Sequence, residues 1–251
     1  MTGSTPKPTV DLRELAFYAS PERACGYLEQ RRSMSLFADP TATMSNRLYS
    51  QLALYGFRRS GQYLYRPACP GCDSCIPMRI PIARFRPNRS QRRCLAANAD
   101  LSERVVEPAF REEHFRLYRR YIRRRHPGGG MDDPDPERYV SFLTSAWSDT
   151  RFYEYRCDRR LMAVAVVDHL ERGLSAVYTY FEPEARARGL GTFAILRQIE
   201  TARREGHPWV YLGYWIPECD KMRYKQHFRP FEIYRDGSWQ ETPPPRERGR
   251  R

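Results

Sequence analysis

The sequence predicts an α+β protein, a small N-terminal cysteine-containing domain followed by a mixed-sheet domain, and three observations carry that prediction. First, the apolar runs Arg151 to Cys157, Leu161 to Leu170 and Leu174 to Phe181 are separated only by the turn pairs Asp158-Arg159 and Arg172-Gly173, as in an antiparallel meander. Second, that meander leads into a loop with two glycines, Arg186-Ala187-Arg188-Gly189-Leu190-Gly191, then an apolar helix and another apolar run. Third, Cys69, Cys72 and Cys75 form a C-x2-C-x2-C run in which Gly71 and two prolines preclude regular structure. The expected organisation is a flexible start over residues 1–11, an N-terminal domain over 12–100, a second domain over 101–240 and a disordered basic tail over 241–251.

Composition narrows the class. A hydrophobic fraction of 41% with 13% aromatics suits a folded globular protein rather than a disordered chain. A net charge of +13 points to a polyanionic partner, nucleic acid before membrane. The start MTGSTPKP has no apolar signal region, and the longest purely apolar run, Leu161 to Val167, is too short to span a bilayer, so a cytoplasmic protein without a membrane partner is expected. Seven cysteines without a secretion signal argue for metal, cluster or buried thiols rather than disulfides. Nothing in the sequence speaks to oligomeric state.

Taken in order, short strands are expected at Leu15 to Ala19 and Ser33 to Asp39, and a helix from Thr43 to Gly56 capped by Thr43 or Ser45. A hairpin follows, Phe57 to Arg59 and Tyr63 to Arg66 turning at Ser60-Gly61. The three thiols of the cysteine loop can converge on one zinc ion or iron-sulfur cluster, with Cys25 or Cys94 as fourth ligand, or stand as reduced structural thiols. Next come a strand from Met78 to Phe85, a short helix from Arg89 to Asn98 and a linker from Leu101 to Glu107. Pro108 to Arg125 reads as a helix with Phe115, Tyr118 and Ile122 on one stripe, widened by Leu117 and Tyr121, and arginines elsewhere, suited to a phosphate backbone or to solvent. The loop MDDPDPE, a candidate mobile lid, leads into a helix from Pro136 to Trp147; a helix over Thr192 to Glu205 and a strand over Trp209 to Ile216 complete the pattern.

Two stretches carry chemistry. Glycines at the start of a helix let backbone N–H groups turn toward an anion where the peptide dipoles favour negative charge. Arg-x-x-Gly-x-Gly between strand and helix resembles the acyl-donor loop of the GNAT fold, which makes the second domain a GNAT-like mixed-sheet acyltransferase domain. The other stretch holds Lys221 and Lys225. The chain has three lysines, so 40 of its 43 basic residues are arginine, and this pair sits four apart on one face of an expected short helix. A compact ammonium suits a phosphate or terminal ribose in a narrow pocket; two surface lysines are the alternative.

Over Leu15 to Tyr234 the chain resembles the bacterial, leucyl-transferring branch of the arginyl-tRNA-protein transferase family. The resemblance rests on SPERACGYL, RSMSLFADP, GFRRSGQYLYRPACPGCDSCIPMRIP, the glycine loop and YLGYWIPECDKMRYKQHFRP, in that order. Leu28 stands where the longer eukaryotic arginyl branch has a second cysteine. The resemblance implies an enzyme that moves leucine from leucyl-tRNA to the α-amine of proteins beginning with Asp or Glu, marking them for degradation. An aminoacyl ester is already activated, so a positioning enzyme that needs no cofactor is expected. Arg186, Arg188, Gly189, Gly191 and Arg223 would hold the 3' end of the tRNA, Lys221 and Lys225 would flank it, and Tyr178 and Tyr180 could reach the ester or the amine. Arg32 or Arg79 would bind the acceptor's acidic side chain, and Cys25, Cys69, Cys72 and Cys75 are the metal candidates. The residues do not separate a leucyl from an arginyl donor. An acetyl-CoA-dependent acetyltransferase would use the glycine loop but neither the basic helix nor the cysteines. A non-enzymatic, zinc-dependent nucleic-acid-binding protein would use the charge and cysteines but not the loop.

Overall fold

The run from Arg160 to Leu170 is buried along nearly its whole length, on both faces, so it must lie between strands and beneath cover on either side. The computed structural model, which describes residues 12–125 and 134–242, builds the rest around it. In chain order the elements are β1 (Phe17–Ala19), β2 (Arg23–Ala24), β3 (Arg32–Ser33), β4 (Ser35–Ala38), α1 (Asn46–Ala53), β5 (Arg58–Ser60), β6 (Tyr63–Pro67), β7 (Ile76–Pro81), α2 (Arg89–Ala96), β8 (Leu101–Val106), α3 (Glu112–Arg125), α4 (Pro136–Leu143), β9 (Thr150–Cys157), β10 (Arg160–Leu170), β11 (Gly173–Phe181), α5 (Leu190–Arg204), β12 (Trp209–Trp215), α6 (Asp220–Arg223), β13 (Glu232–Arg235) and β14 (Ser238–Glu241).

One mixed sheet dominates, in the order β14-β13-β7-β12-β11-β10-β9-β8, antiparallel except where β11 meets β12. A second sheet, β1-β4-β6-β5, and the ribbon β2-β3 form the N-terminal layer. One face of the large sheet packs on α5, with Phe193, Leu196 and Ile199 against Met78, Ala163, Ala165 and Val167. The other face carries two cores, one with Phe115, Tyr118 and Ile122 of α3 and Tyr139 and Leu143 of α4, the second with Leu48 and Leu52 of α1. The expected stripe of α3 is thus its buried face. Ser45 caps α1 by accepting from the Leu48 N–H at 3.1 Å, which contributes about 1 kcal/mol.

Three expectations change. Leu101 to Val106 is an edge strand, not a linker, paired with β9 along its length; its one-sided burial leaves Ser102 and Arg104 on the solvent side, which reads as a linker in the sequence. The hairpin β13-β14 is an addition that Gly237 turns at φ +76°. The sheet also crosses the boundary expected near residue 100, because β7 is inserted between β12 and β13. The proposed flexible start, the first three residues of the candidate lid and the tail beyond residue 242 lie outside the described residues. Among the described residues no helix is long and apolar enough to cross a membrane.

Candidate active site where the sheet opens

β11 and β12 pair only from Gly173 to Ser175 against Trp209 to Tyr211, then lose their ladder. Two irregularities lie where the pairing stops. The register of β10 with β11 slips at Val166/Val167, which leaves Val177 as an extra residue, and that of β12 with β7 slips at Tyr211/Gly213. A bulge bends and twists its strand, so bulges on both sides of one gap turn the two strands apart and leave main-chain groups facing the opening.

Arg58 of β5 enters that opening. Its guanidinium donates to the carbonyls of Ala176 and Val177 at 2.8 and 3.2 Å, beside the bulge, and lies 5.8 Å from the Tyr214 ring centre. Gly213, at φ +72°, makes room for it: a Cβ there would lie 2.1 Å from an Arg58 nitrogen. Arg58 makes no ion pair among the described residues; burial disfavours its charge, and Tyr65, Tyr214, Tyr49 and Tyr27 stand around it. Its sequence neighbour Arg59 is the contrast, fully buried and held by both carboxylate oxygens of Asp168 at 2.7 and 2.8 Å.

Lys225 and Tyr178 belong to the same region. The Lys225 Nζ is buried and donates to the Tyr214 carbonyl at 2.5 Å. Burial, and then the Arg58 charge, hold its ammonium far below the usual lysine range. Tyr178 has a buried hydroxyl without a hydrogen-bond partner, raised by burial and by Tyr121, Tyr118 and Tyr27. Burial raises the Tyr224 hydroxyl, with Tyr121 acting in the same sense and Arg58 and Arg125 opposing. Tyrosines from five parts of the chain therefore surround one unpaired cation.

Other expected site residues lie elsewhere. Tyr180 is buried under α4 and, unlike Tyr178, its hydroxyl is already bonded, to that of Tyr139 at 2.7 Å. Arg79 is taken up structurally: Glu232 pairs with it at 2.7 Å, and the Trp209 and Trp239 rings lie 3.8 and 4.2 Å from it. Arg32 is exposed beside Glu22 at 3.5 Å. Lys221 and Lys225 do not share a face, because α6 ends at Arg223 and a tighter 3-10 turn rotates Lys225 inward while Lys221 stays exposed. Arg223 pairs with Asp220 at 2.5 Å.

The glycine loop has its own groove. Gly189, at φ +63°, turns the chain from a 3-10 segment into α5, and Gly191 lets the first turn close on the Phe181 ring, 3.2 Å from where a Cβ would be. A groove of about 330 Å³ between α2 and this turn is lined by Ser90, Arg93, Cys94, Gly189 and Thr192, among others. Arg186 is exposed beside it, whereas Arg188 is bound to Asp100 and donates to the Asn98 side chain at 2.9 Å. Arg188 lines this groove and also fastens the loop to the end of α2.

Of the two candidate fourth ligands, Cys25 lies by the cysteine loop and Cys94 lies at the glycine loop, 3.5 Å from the Gly189 carbonyl. Burial and then Cys69, Cys25, Cys72 and Cys219 push the Cys75 thiol up to about 12. Such a donor set fits zinc or an iron-sulfur cluster chemically, since a bound cation turns crowded thiols into thiolates. The sulfurs are not drawn onto one point: among the described residues the only group of three or more metal-type ligands within 4.8 Å of one another is His169, Glu205 and His207.

Arg58, Tyr27, Tyr65, Tyr214 and Gly213 had no place among the sequence candidates. A glycine inside an apolar strand signals close approach of another group, and Gly213 was the available clue.

The family model for the N terminus of arginine-tRNA-protein transferase matches residues 23–93, and that for its C terminus matches residues 113–235. The chain is 51% identical to the aspartate/glutamate leucyltransferase of Nitrosococcus oceani, over 89% of this chain and 94% of that one. It is 47% identical to the protein of that name from Saccharophagus degradans, over 91% and 98%. Among solved structures, the C-terminal DUF2156 domain of an Agrobacterium fabrum protein gives a TM-score of 0.48 at 14% identity, covering 77% of this chain and 62% of that one. The chain belongs to the arginine-tRNA-protein transferase family, alongside its aspartate/glutamate leucyltransferases.

Proposed function

We propose that this protein transfers leucine from leucyl-tRNA to the α-amine of proteins beginning with Asp or Glu, marking them for degradation. Its relatives' name supports donor and acceptor; within the chain, the observation that carries the reading is Arg58, a half-buried guanidinium in the opened sheet with no carboxylate against it among the described residues. A cation drawn from water is costly until an anion completes it, and the planar guanidinium fork matches a carboxylate through two parallel hydrogen bonds. An N-terminal Asp or Glu brings that carboxylate, and its α-amine follows within a few bonds.

The amine nitrogen attacks the ester carbonyl carbon of leucyl-tRNA, and the bond from that carbon to the terminal ribose oxygen breaks. Of the two protons lost from the α-ammonium, one goes to a base and one ends on the freed ribose hydroxyl. Positioning carries most of the rate gain, because the ester is activated and an α-amine titrates near ~8. Lys225, whose ammonium is disfavoured, is our candidate for the base, and the unpaired Tyr178 hydroxyl for the group that steadies the oxyanion. In this reading Arg186, Gly189, Gly191, Lys221 and Arg223 receive the 3' end of the tRNA, and the exposed Arg123, Arg124 and Arg125 extend the basic track. Cys25, Cys69, Cys72 and Cys75 are the place for zinc or an iron-sulfur cluster, and no chemical step runs through them.

An Asp-initiated peptide incubated with the protein and a mixture of charged tRNAs should gain the mass of one leucine. Gain of arginine would move the donor, and gain of an acetyl group from added acetyl-CoA, or no gain at all, would overturn the reading.

A further inference from the structure

At the end of β11 away from the glycine loop, three side chains with no part in acyl transfer converge. His169 stands next to last in β10, Glu205 is the residue that ends α5, and His207 lies two residues on, after Gly206 at φ +73°. The Glu205 Oε2 is 3.4 Å from His169 Nδ1 and 3.6 Å from His207 Nε2, and the three ligand atoms all lie within 4.8 Å of one another. These separations exceed an ordinary N–H···O bond, whose donor and acceptor lie ~2.7–3.2 Å apart. They suit donors around one metal: two ligands bonded at about 2.0–2.1 Å to a tetrahedral ion stand roughly 3.3 Å from each other.

The surroundings fix the set. The His169 ring is buried, its Nε2 shares a hydrogen bond with the Tyr153 hydroxyl at 2.8 Å, and the two rings are stacked 4° from parallel. A metal-bound histidine usually donates its far N–H to an acceptor that fixes ring orientation, a role the Tyr153 hydroxyl oxygen can fill. The Arg151 guanidinium stands near His169. His207 is anchored through its backbone N–H to the Ala202 carbonyl at 2.8 Å. Arg151 itself is neutralised by Asp149 at 3.0 Å.

We propose that His169, Glu205 and His207 bind one divalent zinc ion, with water in the fourth position. Two imidazoles and one carboxylate suit zinc better than magnesium or calcium. The ion joins β10, the end of α5 and the turn into β12, at the paired end of the two strands that part in the candidate active site. The site is separate from the cysteine loop and independent of the proposed acyl transfer.

Metal-free full-length protein should take up one zinc at this site by isothermal titration, and cobalt should bind there without the charge-transfer absorption that thiolates produce. His207→Ala and Glu205→Gln, both at partly exposed positions, should weaken that binding at least tenfold and remove the rise in Tm that zinc produces. Tyr153→Phe should weaken it by about tenfold while all three ligands remain. Cys69→Ser with Cys72→Ser should leave it unchanged. Uptake lost in the cysteine variant but kept in His207→Ala, or no uptake at all, overturns the proposal; a folded His207→Ala protein, checked by circular dichroism, keeps the comparison valid.

Discussion

Arg58 and Arg59 are neighbours in one short strand with opposite fates. Alternation sends Arg59 onto Asp168, where the pair is complete, and sends Arg58 toward the gap, where its carbonyl partners leave it cationic. Truncating a residue that pairs with a substrate charge typically costs 2–5 kcal/mol of the interaction. Arg58→Gln should therefore lower kcat/KM for an Asp-initiated peptide by about 100-fold or more while the KM for leucyl-tRNA stays put. The fold should lose about 1–3 kcal/mol from the hydrogen bonds to the Ala176 and Val177 carbonyls, but no internal carboxylate is orphaned. If the leucyl-tRNA KM rises instead, Arg58 serves a tRNA phosphate and the acceptor site lies elsewhere. This residue was not legible beforehand because nothing in Arg-Arg says which one finds a partner; that depends on Asp168, more than a hundred positions away. The lysine pair misled for a related reason, since a change from α-helix to 3-10 turn after Arg223 alters which side chains share a face.

At the scale of elements, periodicity did well wherever burial was two-sided or the apolar stripe was wide. The meander, α3 and α5 lie where the apolar pattern put them. It failed at β8, an edge strand whose polar side looks like linker, and left the short edge strand β14 unassigned. The opening of the sheet was illegible too, because it arises from a bulge on each of two strands that meet only in the fold. Elements also meet through ionisable groups. His114 of α3 and Glu154 of β9 are 2.7 Å apart, and Arg156 holds Glu154 at 2.8 Å. Burial holds the His114 imidazolium below its usual range, although Glu154 opposes this, and burial with Arg151 lowers His169 on β10 against Glu205. The sign follows from proton counting. Between the lowered folded value and the unfolded value near ~6.5, the unfolded chain binds more protons, so stability falls as pH falls. In chelator, urea midpoints should be flat above about pH 7 and decline below pH ~6.5, each histidine adding at most about 1.4 kcal/mol per pH unit. His114→Gln should lower the plateau yet make the decline shallower, and an unchanged slope would remove His114 from the account.

For the molecule as a whole, the two family models meet in one sheet. β7 comes from the N-terminal match, yet it pairs with β12 from Ile76 against Trp215 to Pro81 against Trp209, and with β13 at Arg79 and Met78. Met78, Ile80, Ile82 and Phe85 lie in the same core as Leu196 and Ile199 of α5. Without residues 12–100 the sheet would lose its third strand from one edge, and β12 and β13 would each present an unpaired apolar edge, a template for aggregation. The stability of both parts is then a single cooperative quantity. Calorimetry of the full chain should show one transition with equal calorimetric and van't Hoff enthalpies, and a fragment starting at residue 101 should lack native tertiary signals or precipitate. A soluble fragment with its own cooperative transition would mean that β12 closes its edge without β7. The opening between β11 and β12 would then be a property of the C-terminal part alone, and Arg58, which enters from β5, would be a removable wedge rather than part of the frame that holds the site open.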